Sequence, residues 1–225
     1  MAGKKYRESK KNIPNEAQQL AAAVEIVKKN AGAKFDETVE VHIRLGVDPS
    51  KSDQLVRSSV TLPAGSPKQK KVVVFTENAA VQKAAEEAGA TKVGGVELIN
   101  EIAANGSLDA DLTIATPDMM PKVAKVAKVL GPKGLMPNPK TGTVTPDPAA
   151  VVKDMLSGKV FFKMDQLGNI HEAVGKASWD AAKLTANAKA LLDAVQAARP
   201  GAMKGQLIKS VTLKSTMSPG VRVAL

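Results

Sequence analysis

The sequence predicts an α/β (α+β) protein of two domains, one built from both ends of the chain and the other inserted between them. Its 225 residues are 44% hydrophobic and 24% charged, which is typical of globular chains and allows either one large core or two small ones. Two short segments rich in Pro, Gly or Ser, Pro63–Lys68 and Ser157–Lys159, interrupt the periodic pattern. Both the hydrophobic pattern and the charge change at these points.

The first segment of the chain mixes helix and strand patterns. Pro14 and Asn15 predict a helix start, and apolar residues at helical spacing follow over 20–27. Residues 38–45 alternate strictly between polar and apolar, as a strand with one buried face does. Residues 56–62 predict a second strand.

The last segment is also mixed. KVFFKM and NIHEAVGKA flank a DQLG turn and predict a β-hairpin. Apolar residues over 184–195 predict a helix that ends near Pro200, and LIKSVTL predicts a closing strand. Each end has too few strands to form a sheet alone. We therefore expect residues 1–66 and 159–225 to fold together into one two-layer α+β domain.

Between these ends, strand and helix patterns alternate. VVVF, TKV and DLTIA predict strands, and helices are predicted around Val81, around Leu98 and over 119–130. Such alternation is typical of parallel strands joined by crossover helices. It predicts a three-layer, Rossmann-like α/β domain over residues 67–158. Two connections to the first domain could act as a hinge.

The net charge of +10 points to a polyanionic partner, either nucleic acid or an acidic membrane surface, although a merely basic protein is an alternative. Residues 68–154 contain 11 Lys, no Arg and 10 acidic residues, which leaves them at +1. The two ends together carry +9 and all of the Arg. Because Arg can bond two phosphate oxygens at once, the ends are the expected RNA-binding part. No strongly amphipathic basic helix supports the membrane alternative.

Several classes of function are disfavoured by composition. The chain has no Cys, which removes disulfides and thiolate metal sites and fits a reducing compartment. The basic N-terminus lacks the apolar stretch of a secretory signal, and no run is long enough to span a membrane. A cytoplasmic location is therefore expected. Because only 3% of the residues are aromatic, RNA recognition should be largely polar and ionic.

The loop GPKGLMPNPKTGTV, residues 131–144, combines Gly and Pro with Lys133 and Lys140 and resembles a phosphate-binding loop in composition. Its spacing is wrong for a Walker A loop, because Leu135 follows Gly134 where Lys is needed. A surface loop or an RNA-backbone contact is the better interpretation. A nucleotide-dependent enzyme that uses the middle domain remains the alternative function.

No catalytic set or metal site is visible. His42 and His171 lie far apart in the sequence, without carboxylates at metal-ligand spacing. The scattered Asp and Glu show no catalytic pattern. We therefore predict that the protein is not an enzyme and has no cofactor.

Two segments are candidates for RNA contact. In KFDETVEVHIRLG, the alternation places Thr38, Glu40 and His42 in one polar row, with Lys34 and Phe35 where the chain approaches the strand. A plain solvent-facing strand is the simpler interpretation, but a carboxylate can also accept a hydrogen bond from a ribose hydroxyl.

The second candidate is STMSPGVRV, which offers Thr216, Met217 and Ser218 beside a Pro-Gly pair. Small hydroxyl and amide groups can approach a sugar–phosphate backbone closely, and a Met side chain can pack on a base or a ribose. The alternative is an ordinary C-terminal turn.

These segments, with FDETVEVHIRLGVDPSKSDQLVRSSVTLP, GPKGLMPNPKTGTV and VGKASW, resemble the L-one family of bacterial large-subunit ribosomal proteins. The likeness runs from about Lys11 to Val223. It implies a structural, non-enzymatic ribosomal protein that is monomeric within the ribosome and has two hinged domains. The implied partners are large-subunit rRNA at the mobile side stalk, the exit-site tRNA whose release it assists, and its own operon mRNA, whose translation it represses.

The resemblance also implies specific RNA contacts. The main ones fall on the first domain, and a secondary one falls on Lys133 and Lys140 of the second. The main set is Lys34, Phe35, Thr38, Glu40, His42, Lys176, Thr216, Met217 and Ser218.

Overall fold

A computed structural model of the chain describes residues 3–14, 16–68, 70–139, 142–201, 203 and 205–224. The chain divides into two compact units. Unit 1 comprises Met1–Pro67 and Gly158–Leu225, and unit 2 comprises Lys68–Ser157. Helices and strands occur in both units, which confirms the predicted α/β (α+β) class.

The helices and strands follow one another as a mixed series in which short 3-10 turns occur at Ser52–Gln54, Pro117–Met119 and Ala124–Val126. In chain order the helices and strands are α1 (Lys4–Lys11), α2 (Leu20–Asn30), β1 (Thr38–Leu45), β2 (Arg57–Thr61), β3 (Val72–Phe75), α3 (Ala79–Glu87), β4 (Lys92–Gly94), α4 (Val96–Asn105), β5 (Leu112–Ala115), α5 (Met120–Val123), α6 (Ala127–Leu130), α7 (Pro148–Leu156), β6 (Lys159–Lys163), β7 (Asn169–Lys176), α8 (Ala181–Ala197), β8 (Ile208–Ser215) and β9 (Val221–Val223).

Unit 1 is built on an antiparallel four-stranded sheet with the order β7-β1-β8-β9. Its central strand β1 comes from the first segment of the chain and its neighbours from the last, so neither segment could complete the sheet alone. Helices α2 and α8 pack together on one face of this sheet. The alternating Val39, Val41, Ile43 and Leu45 point into the core they form, as the period-two pattern predicts.

A bulge in β7 decides which of its side chains share a face. Val39 pairs with Gly175 and Glu40 with Ala173, so Val174 is an extra residue opposite them. In a regular strand, residues five apart point to opposite faces. The extra residue in β7 shifts the alternation by one position. Lys176, opposite Thr38, and His171, opposite His42, therefore both point to the face away from the helices.

The predicted hairpin of β6 and β7 is only partly correct. The two strands are joined by a tight turn, and the bridge between Met164 and Ile170 lies next to this turn, just past the end of β6. Beyond the turn, β6 pairs with β2 in a separate two-stranded ribbon and β7 pairs with β1. Longer ladders with these two partners draw the strands apart, and such non-local pairing has no signal in the local sequence.

The turn itself is held by Asp165. Its carboxylate accepts hydrogen bonds from the backbone N–H of Asn169 at 2.7 Å and of Leu167 at 2.9 Å. The bond from Asn169 is the largest cause that lowers the Asp165 pKa to about 2. Gly168 adopts φ +82°, a left-handed conformation that favours glycine in the DQLG turn.

Unit 2 has a parallel three-stranded sheet with the order β4-β3-β5. All four residues of the central β3 are buried, as expected for a parallel strand covered on both faces. Helix α3 packs with α7, while α4 packs with α5 and the turn that follows it. The alternating strand and helix pattern therefore predicted the three strands of this unit and helices α3 and α4.

Other predictions for single elements were less accurate. The helix predicted over 119–130 is divided into α5 and α6 by a 3-10 turn, and Pro121 near its start has no N–H to donate. Helix α2 begins at Leu20 rather than beside Pro14, and Asn15 lies outside the described residues. Helix α1, helix α7 and strand β9 were not predicted. The residues of α1 carry no apolar stripe, and β9 is only three residues long.

Within the described part of the chain, none of the helices is both long enough and apolar enough to cross a membrane.

A buried amide connects three parts of unit 1. Asn187 on α8 is 0% exposed. Its Oδ1 accepts from the backbone N–H of Ala64 at 2.9 Å, and its Nδ2 donates to the carbonyls of Gly65 at 3.2 Å and Val174 at 2.7 Å. The side chain thus joins α8 to the segment after β2 and to β7.

We expect Asn187→Ala to lower the unfolding free energy of unit 1 by about 2 kcal/mol, because buried backbone groups lose their partners. Urea denaturation measures this change. Lys183→Ala removes an exposed side chain from the same helix and should have little effect. Equal stability of the two variants would contradict this role of Asn187.

Candidate RNA interface

The candidate RNA-binding residues of unit 1 are organised around a buried carboxylate that the sequence had not singled out. Glu37 is only 2% exposed. Its Oε1 accepts a hydrogen bond from the backbone N–H of Ala33 at 2.8 Å. Its Oε2 accepts from the Ser215 hydroxyl at 2.6 Å and from the backbone N–H of Met217 at 2.9 Å. One side chain therefore ties the entrance loop, residues 31–37, to the C-terminal turn, residues 215–218.

Two opposing effects act on the pKa of Glu37. Burial is the largest and raises the pKa, since it disfavours the charged form. Hydrogen bonds from Ser215, Met217, Ala33 and Gly32 favour the charged form and together lower the pKa below its ordinary value of 4.5. The carboxylate is thus ionised at neutral pH and charge-assisted in all of these bonds.

Three of the predicted polar residues meet at the start of β1, beside the ends of β7 and β8. The Thr38 N–H donates to Thr216 Oγ1 at 3.1 Å, and Thr216 Oγ1 donates to the Thr38 carbonyl at 3.4 Å. Lys176 Nζ donates to Thr38 Oγ1 at 2.9 Å. Two hydroxyls and one ammonium group therefore lie side by side, and such groups can bond phosphate and ribose oxygens.

The two large predicted contact residues are exposed at the same place. Phe35 on the entrance loop is 55% exposed, and Met217 on the C-terminal turn is 63% exposed. Both line one cleft. Lys34, next to Phe35, is exposed as well. An apolar surface beside a cation is suited to a base or ribose with its neighbouring phosphate.

The polar row continues along β1 from Thr38 to Glu40 and His42, and each has a partner on a neighbouring strand. Glu40 lies opposite Lys214 on β8, with an Oε2 to Nζ distance of 3.7 Å. His42 lies opposite His171 on β7, with their Nδ1 atoms 2.6 Å apart. At that distance one imidazole nitrogen must donate and the other accept.

The pKa of His42 is lowered from its ordinary value. Burial is the largest cause, and the nearby charges of His171 and Lys214 lower the pKa further, while Glu40 opposes them. At neutral pH His42 is therefore an uncharged hydrogen-bonding group. Among the residues that the structure describes, His, Asp and Glu form no cluster of three able to hold a metal ion.

The remaining predicted residues are placed differently. Ser218 is buried, and its hydroxyl accepts from the backbone N–H of Ser215 at 3.0 Å, so it shapes the C-terminal turn. Lys133 is exposed in unit 2. Lys140 lies outside the described residues.

Sequence reasoning missed the residues that support the surface. Besides Glu37 and Ser215, Asp36 accepts from the backbone N–H of Ser178 at 3.1 Å and from its hydroxyl at 2.8 Å. These bonds hold the entrance loop to the segment after β7. The one available signal was an acidic pair, Asp36 and Glu37, at the start of a strand in a basic protein.

The fold defines a two-unit α/β protein whose first unit carries nearly all of the net positive charge. The sequence model of the family described as "Ribosomal protein L1p/L10e family" matches residues 27–219.

Two curated relatives cover nearly the whole chain. "Large ribosomal subunit protein uL1" of Solibacter usitatus (strain Ellin6076) is 50% identical over 221 residues, which cover 98% of this chain and 93% of that protein. The protein of the same name from Persephonella marina (strain DSM 14350 / EX-H1) is 50% identical over 225 residues, with the same coverage.

The chain belongs to the Ribosomal protein L1p/L10e family. This confirms the resemblance seen in the motifs. It also confirms the prediction that the chain is not an enzyme, since the family consists of structural ribosomal proteins.

We expect Glu37→Gln to lower the unfolding free energy by roughly 1–3 kcal/mol at neutral pH. The glutamine amide NH2 can only donate, so one of the groups that donate to Glu37 loses its acceptor. A carboxyl whose pKa is lower in the folded state stabilises the fold above the unfolded-state pKa, and this contribution is lost as the pH falls through the folded-state value. The difference in unfolding free energy between the wild type and Glu37→Gln should therefore become smaller below about pH 4.5. Urea denaturation at several pH values measures it.

Glu25→Gln, an exposed glutamate on α2, is the matched control and should change stability little at any pH. If the difference in unfolding free energy between the wild type and Glu37→Gln did not change with pH, the charge of Glu37 would not be what holds the two segments together.

Proposed function

We propose that this chain is a structural constituent of the large ribosomal subunit and binds large-subunit rRNA at the mobile side stalk through unit 1. One observation carries the proposal. Glu37 holds the entrance loop and the C-terminal turn together, so that Phe35 and Met217 lie beside a set of hydroxyl and ammonium groups. The family supports the ribosomal assignment, as does the printed name of both relatives.

The charge distribution supports an RNA contact on unit 1. Unit 2 has 11 Lys and 10 acidic residues, whereas unit 1 has the remaining 21 basic and 12 acidic residues. A net charge of +9 attracts a polyanion over distances of up to about 10 Å at 0.1 M salt. The polar row and the two apolar side chains then supply short-range selectivity.

Two further roles belong to the proposal. We infer that the protein assists release of deacylated tRNA from the exit site, and that unit 1 also binds its own operon mRNA and represses translation. Support comes from the family resemblance, because one RNA surface can accept two RNAs of similar shape.

Lys133 is proposed as part of a secondary rRNA contact on unit 2. A ribosomal protein of this kind in a bacterium works in the cytoplasm.

We expect the full chain to bind a side-stalk rRNA fragment tightly and with a steep salt dependence, because each phosphate contact releases counterions. Phe35→Ala and Met217→Ala should each weaken binding about tenfold, since a packed or stacked base contact contributes about 1–3 kcal/mol. Filter binding measures the affinity. Both side chains are exposed, so thermal unfolding should be nearly unchanged.

Leu167→Ala is the matched control, because Leu167 is also apolar and is 80% exposed at the tip of the β6–β7 turn. The Leu167→Ala variant should bind the rRNA fragment with the same affinity as the wild type. Binding no tighter to the fragment than to a scrambled RNA of the same length would refute the rRNA role.

Each further role has its own measurement. The operon mRNA leader should compete with the rRNA fragment for the full chain, and Met217→Ala should weaken both complexes together. Ribosomes that lack the chain should release deacylated exit-site tRNA more slowly, and added protein should restore the rate. Lack of competition, or an unchanged release rate, would remove the corresponding role while leaving rRNA binding in place.

A further inference from the structure

An apolar cleft of about 500 Å³ lies between helix α1 and the candidate RNA interface. Helix α1 contributes Tyr6 and Ser9 to its wall. The entrance loop contributes Gly32 and Phe35, the C-terminal turn contributes Met217, and the Glu37 side chain also lines it. The cleft therefore joins a helix that the sequence had not predicted to the site where the proposed RNA contacts converge.

Three of the residues that line this cleft are large apolar side chains that remain open to solvent. Tyr6 is 40% exposed, and Phe35 and Met217 are more exposed still. Two aromatic rings and a thioether around one space can pack against both faces of a flat ring. The Glu37 carboxylate already accepts hydrogen bonds from Ala33, Ser215 and Met217, so it contributes to the shape of the cleft more than to recognition.

A second cleft, of about 410 Å³, lies on another side of Tyr6. Tyr6 lines both clefts, and the second is also lined by Lys10 of α1, by Arg222 of β9, and by Pro219 and Gly220 just before β9. Lys10 and Arg222 are exposed. Tyr6 thus borders both an apolar cleft and a cleft with two basic side chains.

Gln18, in the segment between α1 and α2, is bonded to strand β9 and the residue after it. The Gln18 N–H donates to the Arg222 carbonyl at 2.9 Å, and the Gln18 carbonyl accepts from the Ala224 N–H at 2.8 Å. These bonds add Gln18 to the edge of β9. The chain leaving α1 is therefore fixed to the same strand that carries Arg222.

We propose that α1 completes a site for one unstacked RNA nucleotide. Its base enters the apolar cleft against Tyr6, Phe35 and Met217, and an adjoining phosphate lies against Lys10 and Arg222. The inference rests on the proposed function and extends it to residues that no motif pointed to. Every base has a flat apolar face, so this site adds affinity with little base preference.

Charge decides between an RNA base and other apolar occupants. The residues of α1, KKYRESKK, include five basic residues and one acidic residue, and Lys34 flanks the cleft next to Phe35. A second copy of this basic chain would be repelled. A nucleotide places its negative charge beside its flat base and so matches both clefts.

Tyr6 offers a direct test because it is the only tyrosine of the chain. The full chain, labelled with ¹³C at tyrosine, is titrated with the side-stalk rRNA fragment and observed by NMR. Stacking of a base should shift the Tyr6 ring protons upfield at saturation. An unshifted ring in the saturated complex would overturn the inference. The inference would also be overturned if the Tyr6 ring protons shifted with protein concentration in the absence of RNA, because a second copy of the chain would then occupy the cleft.

Variants provide the second test. Tyr6→Ala should weaken binding of the fragment about tenfold, Tyr6→Phe should keep nearly full affinity, and Leu167→Ala should bind like the wild type. Lys10→Ala and Arg222→Ala should each reduce the salt slope by about one. Lys125→Ala, which removes an exposed charge from unit 2, should reduce it less.

The outcomes separate the two proposals. If Met217→Ala weakens binding and Tyr6→Ala does not, the nucleotide site is wrong and the proposed function stands. If the wild type does not distinguish the fragment from scrambled RNA, the proposed function fails. If Tyr6 shifts upfield equally with both RNAs, the nucleotide site stands as a general single-strand contact.

Discussion

The arrangement of unit 1 depends on the carboxylate of Glu37 and the groups that donate to it. A buried charge is costly unless its hydrogen-bonding capacity is filled. Here the donors come from two segments about 180 residues apart, the entrance loop and the C-terminal turn. Satisfying one ion therefore forces the two segments together. Phe35 and Met217 point to solvent next to each other because their backbones are held from behind.

The sheet provides the rest of the surface. Strand β1 lies between β7 and β8, so its polar row has partners on both sides, Lys176 and His171 on one and Lys214 on the other. These cross-strand partners combine donors, acceptors and one uncharged histidine on a single face. The opposite face is closed by α2 and α8. A two-layer frame thus presents a polar surface on the side of the sheet away from its helices.

Net charge and side chains at fixed positions have separate roles in the proposed RNA contact. In the proposed function, the net charge of unit 1 attracts RNA without selecting it, and the basic residues of α1 add to that attraction. Selectivity requires groups at fixed positions, which the Glu37 contacts and the sheet register supply. Unit 2, near neutrality and built on a parallel sheet, has few means of attracting RNA by charge.

The sequence by itself determined the strands and helices with strong local patterns, such as Thr38–Leu45 and the alternating elements of unit 2, because period two or period 3.6 is a property of adjacent residues. Family motifs also nominated Phe35, Thr38 and Met217. Only the tertiary structure decided that β6 leaves β7 for β2 and that the bulge at Val174 turns Lys176 and His171 to the same face. It also decided that Glu37 supports the interface and that α1 borders it. These features come from contacts between residues distant in the chain, and no local pattern records which donor a buried carboxylate will meet.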